Sequence, residues 1–121
     1  MSIRKNLFLF ENLNVYQKAL RFAIITCKLA STFDYKYSRI RDQFIGASIS
    51  ISLNIAEGNG RQSQKDRINF YKIARSSSFE CIPIIEICFA LKLINEKSRS
   101  KLRQEIIEIS KMISGLIKST T

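Results

Sequence analysis

Residues 49–61 read Ile-Ser-Ile-Ser-Leu-Asn-Ile-Ala-Glu-Gly-Asn-Gly-Arg, and the rest of the chain is arranged about this segment. An uncharged run comes first, followed by one carboxylate, two glycines on either side of an asparagine, and an arginine. Gly58 and Gly60 can take positive φ angles, which favours a turn. The segment therefore predicts the end of one element and a sharp reversal of the chain.

The apolar residues before this turn alternate with serine and asparagine, which is the period of a β-strand. A single strand in an otherwise helical chain would have no partner for its backbone hydrogen bonds. We therefore predict a helix over residues 38–57, with Ser38 as its N-cap and Gly58 just past its end. The alternation then indicates a helix that is buried on more than one side.

Apolar residues that recur at three- and four-residue spacing predict three further helices. Asn12 or Asn14 is expected to cap the first of these, and Ser63 with Asp66 forms a weak capping box for the third. The fourth has a coiled-coil-like seam of Leu102, Ile106, Ile109, Ile113 and Leu116. The helices are predicted over residues 12–32, 63–94 and 98–118, after a short apolar arm at residues 1–11.

Short connections between these helices make consecutive helices antiparallel neighbours. The predicted fold is an all-α, up-down-up-down antiparallel four-helix bundle that forms a single domain over residues 1–121. Pro83 lies inside the third helix and removes one helical hydrogen bond, so we expect a kink over residues 79–83.

Composition excludes several functional classes. The chain of 121 residues contains no histidine, so imidazole catalysis and the usual zinc sites are not expected. Three cysteines (Cys27, Cys81 and Cys88) form no CxxC pair, which favours a reducing compartment. Since no signal peptide or membrane-spanning run is evident, we predict a cytoplasmic protein without a cofactor, a metal or a membrane partner.

The chain is strongly basic, with 20 Lys and Arg residues against 10 Asp and Glu residues and a net charge of +10. Most of this excess lies within residues 1–75. Polyanions such as nucleic acid are the expected partners of such a surface, although excess charge can also serve solubility alone.

A set of motifs runs through most of the chain: Phe10 to Leu13, Val15 to Ala19, Gln43, Ser50, Ile51, Asn54 to Gly58, Gly60, Arg61, Phe70, Ala74, Ser77 and Glu80. These motifs resemble those of the four-helix-bundle proteins encoded in intervening sequences of bacterial 23S rRNA genes. They also resemble the accessory variability proteins of diversity-generating retroelements. The resemblance implies a homopentameric barrel of bundles with a basic outer surface that contacts RNA or other nucleic acid, without enzymatic activity. Two residues depart from the family pattern. Pro83 falls where such proteins usually continue an unbroken helix, and Ser76 stands where a glycine is common.

The polar residues around the turn allow two interpretations. In the first, they form a structural joint that locks the second helix to the third, with Arg61 paired to Glu57. In the second, the carboxylates Glu57 and Glu80 form a metal or acid-base site. The absence of histidine favours the structural joint. Its predicted members are Asn54, Glu57, Gly58, Gly60, Ser77 and Glu80.

Basic residues fall into two stripes, which are the candidate nucleic-acid-binding residues. Their charges are expected to bind phosphates through counterion release. Tyr35, Tyr37 and Tyr71 could stack on unpaired bases, although core positions are more common for tyrosine in a bundle. The stripes comprise Arg61, Lys65, Lys72 and Arg75 on the third helix, and Arg21 and Lys28 on the first.

These observations predict a non-enzymatic, oligomeric bundle that binds structured RNA or another nucleic acid mainly through phosphates. A scaffold that docks an acidic protein, such as the reverse transcriptase of a retroelement, is the alternative. A carboxylate-metal enzyme is the third hypothesis.

Overall fold

The computed structural model describes residues 8–121 and has an all-helical fold throughout that range. Each helix packs against its neighbours in the chain, and the first helix closes on the fourth. Within the described range, the Cα atoms of diagonal helices do not approach within 8 Å of each other, as expected for a four-helix bundle. The helices are α1 (Asn14–Ala30), α2 (Ser38–Asn59), α3 (Gln64–Ala90) and α4 (Glu96–Thr120), with short 3-10 helices at Leu9–Asn12 and Tyr35–Tyr37.

The helices run alternately up and down, and contacts between side chains fix their register. The hydroxyls of Ser50 in α2 and Ser77 in α3 share a hydrogen bond of 2.9 Å. Across the next pair of helices, Ser78 and Ser110 share a buried hydrogen bond of 2.8 Å. These pairs join the middle of α2 to the middle of α3, and the middle of α3 to the middle of α4, which agrees with the predicted four-helix bundle.

Helix α4 contributes the seam that its sequence predicts. Leu102, Ile106, Ile109 and Ile113 are buried, and Leu116 packs against the edge of the core. In α2 the strand-like alternation resolves into helical periodicity: Ile51 and Ile55 enter the core, whereas Leu53 leaves 62% of its surface exposed. The alternation therefore marks a helix with one face in the core and another apolar face outside it.

The first two N-caps differ from the prediction. Helix α1 spans Asn14–Ala30 rather than residues 12–32, and Leu13 stands at its N-cap without a side-chain capping bond. Neither Asn12 nor Asn14 is therefore the cap. Helix α2 follows directly on a 3-10 helix, so Tyr37 takes the N-cap position and Ser38 is the first helical residue.

The third N-cap is confirmed, since the Ser63 hydroxyl accepts a hydrogen bond of 3.0 Å from the backbone amide of Asp66. Helix α3 continues without interruption through Pro83, which lies on its exposed side. Helix α4 begins at Glu96, two residues earlier than predicted, because the Asn95 side chain accepts a bond of 2.8 Å from the amide of Ser98.

Helix α3 ends at Ala90 rather than at residue 94, because the chain enters a Schellman motif there. The Leu93 amide donates to the Cys88 carbonyl at 2.9 Å, and the Lys92 amide donates to the Phe89 carbonyl at 2.9 Å. This geometry gives Lys92 a φ of 62°, the only positive φ among the non-glycine residues described. Glycine is the usual residue at this position, so the sequence carries no signal for the stop.

The joint between α2 and α3 depends on a close approach at Gly58. Contrary to the prediction, Gly58 lies inside the last turn of α2, and no glycine within the described range has a positive φ. A Cβ atom on Gly58 would lie 2.7 Å from Cε1 and 2.9 Å from Cδ1 of Tyr71, and 3.0 Å from Cβ of Phe70. Tyr71 is fully buried, so its ring has little room to move. Gly58 therefore supplies space for packing rather than freedom for a turn.

Polar residues complete this joint more weakly. The Asn54 side-chain amide donates to the carbonyl of Ser50 at 2.7 Å and to its hydroxyl at 2.9 Å, which links Asn54 to Ser77 through Ser50. Glu57 and Arg61 form an ion pair of 3.6 Å, but both side chains are about half exposed. Such a pair contributes about 0–1 kcal/mol. Gly60 caps α2 with a φ of −82°, and Glu80 is exposed on α3.

Substitution of Gly58 by alanine is expected to lower the free energy of unfolding by about 1–2 kcal/mol, because overpacking outweighs the gain in helix propensity. Gly46, in the same helix, is the matched control, since its Cβ would meet nothing within 4 Å. Gly46→Ala is expected to stabilise the fold by about 0.5–1 kcal/mol. Denaturant unfolding of both variants tests this, and equal effects would contradict it.

Lys92→Gly is expected to stabilise the protein by up to about 1 kcal/mol. Glycine removes the strain of an L-residue in the left-handed conformation, which is worth about 1–2 kcal/mol. The extra entropy of glycine in the unfolded chain removes about 0.4–1 kcal/mol of that gain. Lys92→Ala is the control, because it removes the same charge but keeps Cβ. Thermal unfolding should show stabilisation in the glycine variant alone; a similar rise in both would assign the effect to charge.

Candidate nucleic-acid interface

The basic residues predicted from sequence lie on two diagonally opposite helices. Arg21 and Lys28 are exposed on α1, while Lys65 and Lys72 are exposed on α3. Arg61 lies in the turn that precedes α3 rather than on the helix itself. Because α1 and α3 lie diagonally across the bundle, a single chain does not join the two stripes into one patch.

Five of these six cations form no ion pair within residues 8–121, and four of the five are exposed. Within residues 8–121, Arg21, Lys28, Lys65 and Lys72 take part in none of the ion pairs, which are Lys18–Glu108, Arg41–Asp42, Arg61–Glu57, Arg99–Glu86, Arg99–Glu96 and Arg103–Glu86. Their charges are therefore available to an external anion.

The other two cations have structural contacts. The Arg61 guanidinium lies 4.7 Å above the centre of the Phe70 ring, in addition to its ion pair with Glu57. Arg75 is half-buried and donates from Nη1 to the Ser114 hydroxyl on α4 at 3.3 Å. Arg61 and Arg75 thus hold helices together, and their charges are less free than those of the lysines.

At the far end of the bundle, basic residues of α4 are neutralised by carboxylates. Arg99 donates to both carboxylate oxygens of Glu86 and of Glu96, at 2.9–3.1 Å, and Arg103 donates to Glu86 at 3.2 Å. Hydrogen bonds and charge from Arg99, together with Arg103, hold the pKa of Glu86 below its ordinary value. The same carboxylates raise the pKa of Arg99. Sequence spacing suggests only the pair within α4, since contact with Glu86 requires the packing of two helices.

Aromatic residues offer less to a nucleic acid than the sequence suggests. Tyr71 is completely buried, so it cannot stack on a base, and its hydroxyl has no hydrogen-bond partner among residues 8–121. Tyr35 is largely exposed in the connection between α1 and α2. Tyr37 is half-buried, and the Lys36 ammonium lies 5.3 Å from the centre of its ring. Of the three tyrosines, Tyr35 is the most accessible.

The cysteines do not form a reactive centre. All three are free thiols. Burial, with a smaller effect of the Glu80 charge, raises the pKa of Cys81 to about 12, and burial raises the pKa of Cys88 to about 11. Both thiols therefore remain protonated at neutral pH and are poor nucleophiles.

Two apolar grooves lie on different helix pairs, and the sequence did not indicate them. The α1/α2 groove has a volume of about 580 Å³ and includes Leu20, Ile24 and Leu53. The α3/α4 groove has a volume of about 400 Å³ and includes Phe79 and Ile107 among its lining residues. Helical spacing groups Phe79 with the core of α3, yet 57% of its surface is exposed. Periodicity alone cannot separate a core position from an apolar position at the rim.

Two further classes of site are absent from residues 8–121. No group of three or more cysteine, aspartate or glutamate side chains is placed to hold a metal ion. None of the four helices has a stretch long and apolar enough to cross a membrane.

Comparisons with known proteins agree with this architecture. A crystal structure of a protein of unknown function from the S23 ribosomal protein family of Bacteroides thetaiotaomicron VPI-5482 superposes with a TM-score of 0.80. The two chains are 25% identical, and the superposition covers 86% of this chain and 95% of the other. Curated protein sequences give no match. The family model described as 23S rRNA-intervening sequence protein matches residues 11–115. This chain therefore belongs to the 23S rRNA-intervening sequence protein family.

Proposed function

We propose that this protein is a non-enzymatic four-helix bundle that binds structured RNA through phosphates. The observation that carries the proposal is the set of four unpaired, exposed cations, Arg21, Lys28, Lys65 and Lys72, on a chain of net charge +10. Nucleic-acid phosphates bind such residues by releasing condensed counterions. Contacts of this kind position a nucleic acid but carry little sequence information. Membership in a family named for an rRNA intervening sequence supports RNA as the ligand.

The proposal extends to a homo-oligomer, with a pentameric ring as the arrangement that the family resemblance implies. The two apolar grooves lie on different helix pairs, α1/α2 and α3/α4. A contact between unlike faces is heterologous, and such contacts close into rings when the rotation between copies allows it. A ring would repeat Arg21, Lys65 and Lys72 around its circumference, which brings cations from different copies into one field. Lys28 lines the α1/α2 groove and would lie at the contact between copies.

Lys65→Gln combined with Lys72→Gln is expected to weaken RNA binding. Removal of two phosphate contacts should reduce the slope of log K against log salt concentration by about 2. The matched control is Lys97→Gln combined with Lys101→Gln, which removes two exposed charges from α4 instead. Fluorescence anisotropy with a structured RNA at several salt concentrations measures the slopes.

The control pair should leave the slope nearly unchanged. An equal decrease of the slope in both double variants would show that binding depends only on net charge. Absence of RNA binding even at low salt would overturn the proposal. Docking of an acidic protein, for example a reverse transcriptase, would then be the function to test.

Glutamate substitutions in the grooves test the oligomer. Ile24→Glu disrupts the α1/α2 groove and Phe79→Glu disrupts the α3/α4 groove, so each variant alone should be a monomer of 14.0 kDa in light scattering. An equimolar mixture should form a heterodimer, because one intact face of each kind remains. Ile25→Glu is the control, since Ile25 is exposed on α1 but lines neither groove.

The wild-type protein and the Ile25→Glu control should both have about five times the chain mass. A monomeric wild-type protein would refute self-assembly. Dimers formed by a single groove variant would show that like faces pair, which contradicts a ring built from unlike faces.

A further inference from the structure

A polar pocket lies at the end of the bundle where α2 ends, α3 begins and α4 ends. Its volume is about 460 Å³, and polar residues make up most of its lining. No carboxylate side chain is among the lining residues. They are Leu13, Asn59, Gln62, Gln64, Arg67, Leu116, Ser119 and Thr120.

Arg67 is the charged side chain of this pocket, and its guanidinium is unpaired. The Nε atom is buried and has no hydrogen-bond partner. Within residues 8–121, no hydrogen bond or ion pair reaches any nitrogen of this side chain. A buried donor without a partner costs about 1–3 kcal/mol, and more when the group is charged. The folded chain therefore holds a cation whose hydrogen-bonding capacity it does not use.

Several carbonyl groups at the end of α4 accept hydrogen bonds from donors other than Arg67. The Gln64 side-chain amide donates to the backbone oxygens of Thr120 and Thr121. The hydroxyls of Ser119 and Thr120 both donate to the Leu116 carbonyl, at 3.0 Å and 2.8 Å. None of these bonds involves Arg67, so its guanidinium keeps its donors for another partner.

We propose that this pocket binds a phosphate group. The planar guanidinium of Arg67 can donate two parallel hydrogen bonds to two phosphate oxygens. The side-chain amides of Asn59 and Gln62 line the same pocket and can donate to the remaining oxygens. The site is separate from the exposed stripes, and it does not depend on the proposed RNA binding.

The phosphate can come from two sources, inorganic phosphate or the end of an RNA strand. Inorganic phosphate is the first probe, titrated into the full chain without a C-terminal extension, at constant ionic strength against chloride. At ten times its Kd, phosphate should raise the Tm by about 5 °C. The variants Arg67→Gln and Arg67→Lys should lose most of this rise, the second because a lysine cannot form the bidentate contact. Lys97→Gln, at the opposite end of the bundle, is the charge-matched control and should keep it.

Circular dichroism verifies that each variant is folded, and a 31P NMR titration of the wild-type protein gives a readout that needs no variant. A saturable phosphate effect that disappears with Arg67→Gln and persists with Lys97→Gln supports the site. A wild-type protein that responds equally to phosphate and chloride, or an Arg67→Gln variant that keeps the full rise, overturns it.

An RNA with a 5′-phosphate and the same RNA with a 5′-hydroxyl then identify the source. Tighter binding of the phosphorylated strand by the wild-type protein, lost in Arg67→Gln, assigns the pocket to an RNA terminus. Equal binding of the two strands, together with the inorganic phosphate effect, assigns it to free phosphate. Because the titration with inorganic phosphate contains no RNA, a pocket that does not bind phosphate is distinguishable from a protein that does not bind RNA.

Discussion

The packing of the Tyr71 ring against Gly58 is the contact on which the rest of the bundle depends. It fixes the distance between α2 and α3, the most extensively packed pair of helices. Tyr71 is fully buried, and its hydroxyl has no partner in the described part of the chain, so the ring rather than the hydroxyl stabilises the fold. A buried hydroxyl without a partner costs about 1–3 kcal/mol, which the ring packing has to outweigh.

This contact also sets the interpretation of the polar residues nearby. Glu57, Arg61 and Asn54 surround a glycine, an arrangement that from sequence alone resembles an active site. In the fold, Asn54 bonds within α2 and Glu57 pairs with Arg61. These contacts support the structural joint. The charged groups that are free to bind an anion lie elsewhere, on the exposed lysines of α3 and in the pocket of Arg67.

Periodicity and turn chemistry predicted the number, order and approximate limits of the helices. They also predicted the α4 seam and the Ser63 cap, because these depend on residues close together in the chain. The prediction that Gly58 lies in the turn was wrong, since glycine is equally common in turns and at close approaches between helices. The end of α3 was missed because Lys92 occupies a left-handed position with no sequence signal. The exposure of Phe79 and the unpaired state of Arg67 depend on which helices meet, and a single sequence does not reveal that.

A double-mutant cycle tests the central contact most directly. The cost of Gly58→Ala in free energy of unfolding is measured in the wild-type chain and in a Tyr71→Leu background, which lacks the ring atoms that a Cβ would meet. We predict a coupling energy of about 1–2 kcal/mol, so that alanine at position 58 is nearly neutral once the ring is gone. Additive effects would show that Gly58 and Tyr71 act independently, and would contradict this account of how α2 and α3 are held together.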